Sequence, residues 1–294
     1  IRGASALASA LGIKQIVIGI EDNKPNALNA LQSAIEDVHA SHDFEIVVVP
    51  TQYPSGGERQ LIWLTLAIEV TSQQHPVDHG ILVHNPGTLA ALAQSVDGDP
   101  ITDRIITVTG NGVATPQNLI VPIGTPVSVL LHHAGLDGSQ NWQLTIGGPM
   151  MGFPLHSTDA PVVKTTNCIL VRPPVQQPIE PCIRCGACAE VCPVQLQPQR
   201  LFQMLSYDAI GAAAHEGLAD CIECAACNVV CPSHIQLASW FQSGRAQLRE
   251  EAKQTLIADQ ARQRFEARQA RMVRVAEEQE RRRRERRGKS GDLL

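Results

Sequence analysis

The sequence predicts a mixed fold: an α/β layer, a small α+β unit, then a cysteine-bearing module that runs into a charged helical tail. Three observations predict it. Over residues 1–100 short apolar runs alternate with helix-period segments, the pattern of a mostly parallel sheet flanked by helices. Residues 101–172 hold short strand candidates separated by Gly, Pro and Asn turns. Eight of the nine cysteines then fall in two identical runs between 182 and 231. At 294 residues and 44% hydrophobic composition, the chain can bury a sizeable core in one to three domains.

Ala4–Leu11 reads as a helix already under way, and the first residue is Ile rather than Met, so a missing N-terminal part is expected. Gln15–Ile20 is an apolar run of buried-strand type. Asn26–Val38 has helical periodicity with Asn26 as candidate N-cap. Glu45–Val49 is a second strand, Glu58–Val70 a helix, Gly80–Val83 a third strand and Thr88–Val96 a helix. Two connections could carry chemistry. In Tyr53-Pro54-Ser55-Gly56-Gly57-Glu58, adjacent glycines permit close backbone approach and the following helix start favours an anion. An ordinary strand–helix turn, with Glu58 answering the helix dipole, is the commoner use of such a segment. His84-Asn85-Pro86-Gly87-Thr88 is likewise commonly just a cap and turn.

In the second unit Ile101–Thr109, Gln117–Pro122, Trp142–Ile146 and Asn167–Arg172 are strand candidates, with a short helix over Pro126–Ala134. Gly147-Gly148-Pro149 marks a turn whose Met150 and Met151 are expected to pack rather than to ligate. His132 and His133 are adjacent, so a helix points them apart and they make a poor metal pair. Cys168, alone in an apolar strand, reads as a buried structural thiol. Pro173–Pro181 is an extended, proline-rich linker.

The first cysteine run is Cys182-Ile-Arg-Cys185-Gly-Ala-Cys188-Ala-Glu-Val-Cys192-Pro193, and the second is Cys221-Ile-Glu-Cys224-Ala-Ala-Cys227-Asn-Val-Val-Cys231-Pro232. Both spell C-x₂-C-x₂-C-x₃-C-P, the bacterial ferredoxin pattern for [4Fe–4S] clusters, in which the fourth cysteine ligates the other cluster. One cluster is therefore expected on Cys182, Cys185, Cys188 and Cys231, and the other on Cys221, Cys224, Cys227 and Cys192. The fourth cysteine is expected to open the following helix, with its Pro in the first turn. Zinc sites favour paired rather than triplet cysteines, and disulfide frameworks favour short secreted chains. Helices are expected over Pro198–Gly211 and Ile235–Arg249.

The formal charge of −5 conceals an asymmetry: from Arg245 onward the balance is +6, and before it −11. The tail, with its charge run Arg281-Arg282-Arg283-Arg284-Glu285-Arg286-Arg287, reads as a solvated helical or disordered segment with an alternative attraction to anionic lipid or an acidic partner. Aromatic residues are only 3% of the chain and no recognition module accompanies the arginines, which argues against nucleic acid. No apolar stretch approaches the roughly 20 residues of a membrane span. Cluster-type thiols without a disulfide pattern suit a reducing compartment.

Up to about residue 245 the chain resembles the C component of the Rnf-type ion-translocating electron-transport complex, called Rsx in some enterobacteria. The resemblance rests on Ile20-Glu21-Asp22-Asn23-Lys24-Pro25, on Pro50-Thr51-Gln52-Tyr53-Pro54-Ser55-Gly56-Gly57-Glu58-Arg59-Gln60-Leu61, on Gly147-Gly148-Pro149-Met150-Met151-Gly152, on Pro161–Cys168, and on the two cysteine runs in matching order. That family is similar to the flavin-bearing, NADH-binding subunit of respiratory complex I. The resemblance implies a Rossmann-like flavin/NADH domain over 1–100, a soluble-ligand-binding β-grasp domain over 101–172, a linker over 173–181, a two-cluster ferredoxin-type domain over 182–245 and a tail over 246–294. It implies that Tyr53, Gly56, Gly57, Glu58, Asn85 and Thr88 line an FMN site. Arg59 departs from the relatives' second acidic residue, His84 and Gly87 depart from their second segment, and their glycine-rich loop would precede residue 1.

The function implied is an oxidoreductase and translocase subunit, with no acid–base catalyst among these residues. It would relay electrons between NADH, flavin and two clusters to ferredoxin-type partners and membrane subunits, held peripherally on the cytoplasmic side of the inner membrane. A soluble NADH-dependent cobalamin reductase of related build is the alternative, and a zinc-bearing scaffold a more distant one.

Overall fold

The computed structural model describes residues 1–36, 42–174 and 177–291, with side chains as far as Arg284. They form two compact units, one of residues 1–199 with 219–238, the other of residues 200–218 with 239–294.

The first unit opens with helix α1 (Arg2–Leu11), strand β1 (Gln15–Glu21), helix α2 (Pro25–Glu36), strand β2 (Asp43–Val49), helix α3 (Glu58–Leu66) and helix α4 (Pro86–Val96). β1 and β2 pair in parallel from Gln15 opposite Asp43 to Glu21 opposite Val49. This is the strand–helix–strand arrangement the alternation predicts. Two glycines set its packing. A Cβ on Gly19 would come within 2.6 Å of Leu61 Cδ1, so α3 lies close on β1; one on Gly3 would meet the Leu89 carbonyl oxygen at 1.8 Å, so α1 seats directly on α4.

Several elements differ from expectation. Gly80–Val83 forms no strand; Ile81 N–H bonds back to the Pro76 carbonyl, closing a 3₁₀ turn over Pro76–His79. A four-residue apolar run carries no length signal that distinguishes strand from coil. Pro25, not Asn26, opens α2, as its missing N–H and fixed φ permit. The expected end of that helix at Val38 lies outside the described residues. α3 stops at Leu66 because Ala67 turns left-handed, φ 54°, and α4 starts at Pro86 behind an Asn85 cap.

The next five strands form a mixed sheet: β3 (Asp103–Gly110), β4 (Gln117–Pro122), β5 (Gln143–Ile146), β6 (Phe153–Pro154) and β7 (Cys168–Arg172), in the order β4-β3-β7-β5-β6. β3 and β7 are parallel neighbours and the other pairs antiparallel. Alternate residues Ile106 and Val108 of β3, and Ile169 and Val171 of β7, meet Val127, Leu130 and Leu131 of helix α5 (Val127–His133) in one buried cluster. That is the β-grasp arrangement, a sheet closed over a single helix. Met151 is 60% exposed, so it is not core packing. Cys168 is only half-buried, though burial pushes its thiol above the ordinary value.

The cysteine region contributes two single-turn helices, α6 (Ala187–Glu190) and α9 (Ala226–Val229), which pack together. Helix α7 (Pro198–Ser206) and α8 (Ile210–His215) replace the single helix expected over Pro198–Gly211. The break is at Asp208, φ 57°, where Ala209 N–H bonds to Met204 C=O. Helix α10 (Leu237–Gly291) runs without interruption through the expected tail boundary. In the second unit Phe202 meets Trp240 edge-on, with ring centres 5.4 Å apart, beside buried Leu201, Leu205, Leu218 and Phe241. Beyond that core α10 is exposed, including Phe265 and Met272.

Candidate functional site

The two cysteine runs repeat at an offset of 39 residues, from Cys182 to Cys221 and from Cys192 to Cys231. The backbone repeats with them. Arg184 and Glu223 both sit at φ 57°, Gly186 and Ala225 at φ 85° and 58°, Gln195 and His234 at φ 54° and 55°. A left-handed residue between right-handed neighbours curls the chain so that successive N–H groups face inward, a concavity suited to an anion. Non-glycine residues adopt that conformation at a cost of roughly 1–2 kcal/mol each. Its recurrence at matching positions marks a loop shaped for what it encloses. The fourth cysteine does not open a helix. Gln195 N–H bonds to Cys192 C=O and His234 N–H to Cys231 C=O. Pro193 and Pro232 therefore occupy the second position of a tight turn, which their fixed φ also suits. α7 and α10 begin several residues later.

Cys182, Cys185, Cys188 and Cys231 line one cavity with Gln199 and Ile235. The cavity is partly open to solvent. Ser233, a buried residue of its lining, donates its hydroxyl to the Pro181 carbonyl at 2.9 Å, and its own carbonyl accepts from Glu180 N–H at 3.0 Å. These bonds join the end of the second run to the start of the first. The other four cysteines are gathered too. Burial pushes the Cys227 thiol up to about 12, reinforced by the neighbouring charges of Cys221, Cys224 and Cys192. Burial likewise raises Cys188, whose thiol donates to Gln199 Oε1 at 3.3 Å. Cys188 also adds to the shift at Cys227, so the two groups of four are neighbours.

The donor chemistry fits iron–sulfur clusters. Among the described residues no three His, Cys, Asp or Glu donors converge as a single metal ion requires. The first-run cysteines surround a space rather than a point. Leu196 N–H points at Cys192 Sγ (3.3 Å) and Glu223 N–H at Cys221 Sγ (3.4 Å), bonds of the kind that stabilise charge on a ligating sulfur. Burial favours the neutral form of Cys188, Cys224 and Cys227, and iron, which binds thiolate, would supply the positive charge that offsets it.

The candidate flavin residues fall on two helix starts. Glu58 opens α3 behind Gly57, and no side chain caps that start. The first helical bond there runs from Leu61 N–H to Gly57 C=O, which leaves first-turn donors facing the loop. A side chain on Gly56 would meet open space, whereas one on Gly57 would strike Gln60 Oε1 at 2.6 Å. This loop fits a ligand carrying an anionic group. Asn85 instead caps its own helix, accepting from Gly87 N–H at 2.8 Å, and Thr88 N–H bonds to Asn85 C=O. No hydrogen bond joins the two loops among the described residues. At the carboxyl ends of β1 and β2, where α/β sheets commonly bind ligands, Asp22 accepts from Thr51 N–H (3.1 Å) and Thr51 Oγ1 (2.5 Å).

Sequence reasoning missed the reach of Tyr53. Its hydroxyl donates to the Cys224 carbonyl at 2.6 Å, across 171 residues of sequence. Burial and the neighbouring Cys224 charge hold the phenol above its ordinary value, so it remains a donor. Ser233 was missed as well. The offset of 39 residues was the available signal for the loop geometry; nothing in the sequence signalled Tyr53–Cys224.

Three protein-family models match segments of this chain. Residues 1–94 match the Nuo51 FMN-binding domain, residues 105–154 the SLBB domain and residues 178–235 the 4Fe-4S dicluster domain. The chain is 43% identical over 279 residues to the C component of the ion-translocating oxidoreductase complex of Citrobacter koseri, covering 93% of this chain and 39% of that protein. It thus spans well under half the length of that relative. An NAD+-reducing [NiFe]-hydrogenase in its H2-reduced state shares the fold at 18% identity and TM-score 0.54, over 82% of this chain and 49% of that one. Its air-oxidized state gives 16% and 0.51, over 84% and 54%.

Proposed function

We propose that this homologue of the C component of ion-translocating oxidoreductase complexes is the electron-relay portion of such a protein. The observation that carries this reading is the cavity lined by Cys182, Cys185, Cys188 and Cys231, four thiols drawn from both runs around one space. Bound [4Fe–4S] clusters supply one-electron chemistry, and bound FMN supplies the junction between two-electron and one-electron transfer. The chain's own residues do the rest. Cys182, Cys185, Cys188 and Cys231 hold one cluster; Cys221, Cys224, Cys227 and Cys192 hold the other. The N–H groups of Leu196 and Glu223 stabilise negative charge on the ligating sulfurs, and burial of Cys224 and Cys227 excludes water there. The uncapped start of α3, with Gly56, Gly57 and Glu58, receives the flavin's anionic end, while Asn85 and Thr88 shape the start of α4.

In the whole protein NADH is the electron source or sink, ferredoxin-type proteins exchange electrons with the complex, and other subunits anchor the chain. No helix among the described residues is long and apolar enough to cross a membrane. In this reading attachment is peripheral, at the cytoplasmic face of the inner membrane, with anionic lipid attracted by the arginines of α10.

Iron and acid-labile sulfide analysis of the purified chain, with EPR of the reduced form, tests this. About eight of each per chain and two interacting [4Fe–4S] signals are expected. About two zinc ions with no sulfide would end the relay reading.

A further inference from the structure

The two cysteine runs are alike in sequence and backbone but not in exposure. Cys182 and Cys185 are exposed, whereas their counterparts Cys221 and Cys224 are half-buried and buried. Ile183 is 68% exposed and its counterpart Ile222 only half-buried; Arg184 is exposed and Glu223 half-buried. An internal repeat that folds alike in both copies has no reason of its own to bury one copy more than the other. Tyr53 supplies one. It comes from the loop at the carboxyl end of β2, and its hydroxyl is bonded to the carbonyl of Cys224, inside the second run. No residue of that loop bonds to the first run among the described residues. The cavity of the first-run site meanwhile opens to solvent past Cys182, Ile183 and Cys185.

We infer that the relay is polarised. The second-run site is the inner one, coupled to the flavin-domain loop through Tyr53, and the first-run site is the outer one, where an external one-electron carrier exchanges electrons. In that exchange one electron leaves the carrier and reduces the outer site, or the reverse, and no bond or proton is transferred. Tyr53 acts here as a positioning residue. Its O–H dipole points its positive end toward the loop that carries Cys224, and that stabilises the reduced, more negative state of the inner site. This inference rests on the proposed cluster ligation.

The experiment uses the cluster-loaded chain. The two EPR signals are first assigned with Cys185→Ser and Cys224→Ser. A dysprosium chelate added to solution relaxes nearby paramagnets steeply with distance. It is expected to relax the first-run signal several-fold more than the second-run signal. Redox titration of Tyr53→Phe, which keeps the ring and removes the hydroxyl, is expected to lower the second-run midpoint and leave the first-run midpoint in place. Stronger relaxation of the second-run signal, or a Tyr53→Phe shift confined to the first run or absent from both, overturns the polarity. The dysprosium arm needs no Tyr53 substitution, so a misfolded variant does not rescue the idea. Absence of iron and sulfide from the unmodified chain would instead bring down the relay reading, and the polarity with it.

Discussion

The Ser233 hydroxyl donates to the Pro181 carbonyl at 2.9 Å, while the Ser233 carbonyl accepts from Glu180 N–H at 3.0 Å. Pro181 immediately precedes Cys182, and Ser233 follows Cys231 by two positions. This short two-stranded clasp brings the last cysteine of the second run to the first. The grouping of Cys231 with Cys182, Cys185 and Cys188 around one cavity is thus supported by bonds outside the cysteines themselves.

Replacing Ser233 by alanine leaves the backbone half of the clasp and removes the hydroxyl bonded to the Pro181 carbonyl. Loss of one such bond costs about 1 kcal/mol, more where the partner is left unpaired. Ser233→Ala is expected to release iron from the first-run site to a chelator several-fold faster, with the second-run site unaffected. Equal release from both sites would show that the clasp does not act locally.

Crossed grouping makes a counter-intuitive prediction for Cys192. It lies in the first run, yet its charge is felt at Cys224 and Cys227. Cys192→Ala should therefore damage the second-run cluster and spare the first, read as selective loss of one EPR signal. Selective loss of the first-run signal would refute the crossed assignment.

How much of this was legible depended on how local the cause was. The cysteine spacing decides which sulfurs share a loop, so the meeting of Cys231 with Cys182, Cys185 and Cys188 around one cavity was legible from residues 182–231 alone. The strands of the β-grasp unit were legible because Ile106, Val108, Ile169 and Val171 alternate with residues facing the other way. The end of α3 at Ala67 was not, because an alanine in the left-handed region carries no glycine signature. Nor was the break at Asp208, where the bonds to Met204 and Leu205 decide the matter. The flavin residues came only through resemblance, since Gly56-Gly57 and Asn85 also serve ordinary helix starts. Tyr53 was assigned to the flavin; its bond to Cys224 depends on tertiary packing.

Asp22 offers a pH test of the loop that bears Tyr53. The hydroxyl and N–H of Thr51 hold its carboxyl below the ordinary 3.8, the hydroxyl being the larger cause. In the window between those values the unfolded chain binds more protons than the folded one, so stability rises with pH there. The contribution is fully present above about pH 3.8 and is lost as pH falls through the folded value. An NMR titration of Asp22 should show a midpoint below 3.8 that moves up in Thr51→Val. An unchanged midpoint in that variant would remove Thr51 as the cause.

The arginines of α10 are less available than their number suggests. Arg282 pairs with Glu278 at 2.7 Å and Arg284 with Glu280 at 2.6 Å, both one helical turn apart. The side chains are largely exposed, and such pairs are worth only about 0.3–0.5 kcal/mol each. They nonetheless cancel charge where an anionic membrane would be met. Attraction to such a surface is about 1 kcal/mol per uncompensated basic residue. Glu278→Gln with Glu280→Gln should therefore tighten sedimentation with phosphatidylserine-containing vesicles by roughly tenfold or more at low salt. The gain should fade as salt shortens the Debye length. Neutral phosphatidylcholine vesicles should show no gain, because the substitutions add no apolar surface. Should the doubly substituted chain bind anionic vesicles no better than the original, α10 is not a lipid contact, and its basic face is left to protein partners.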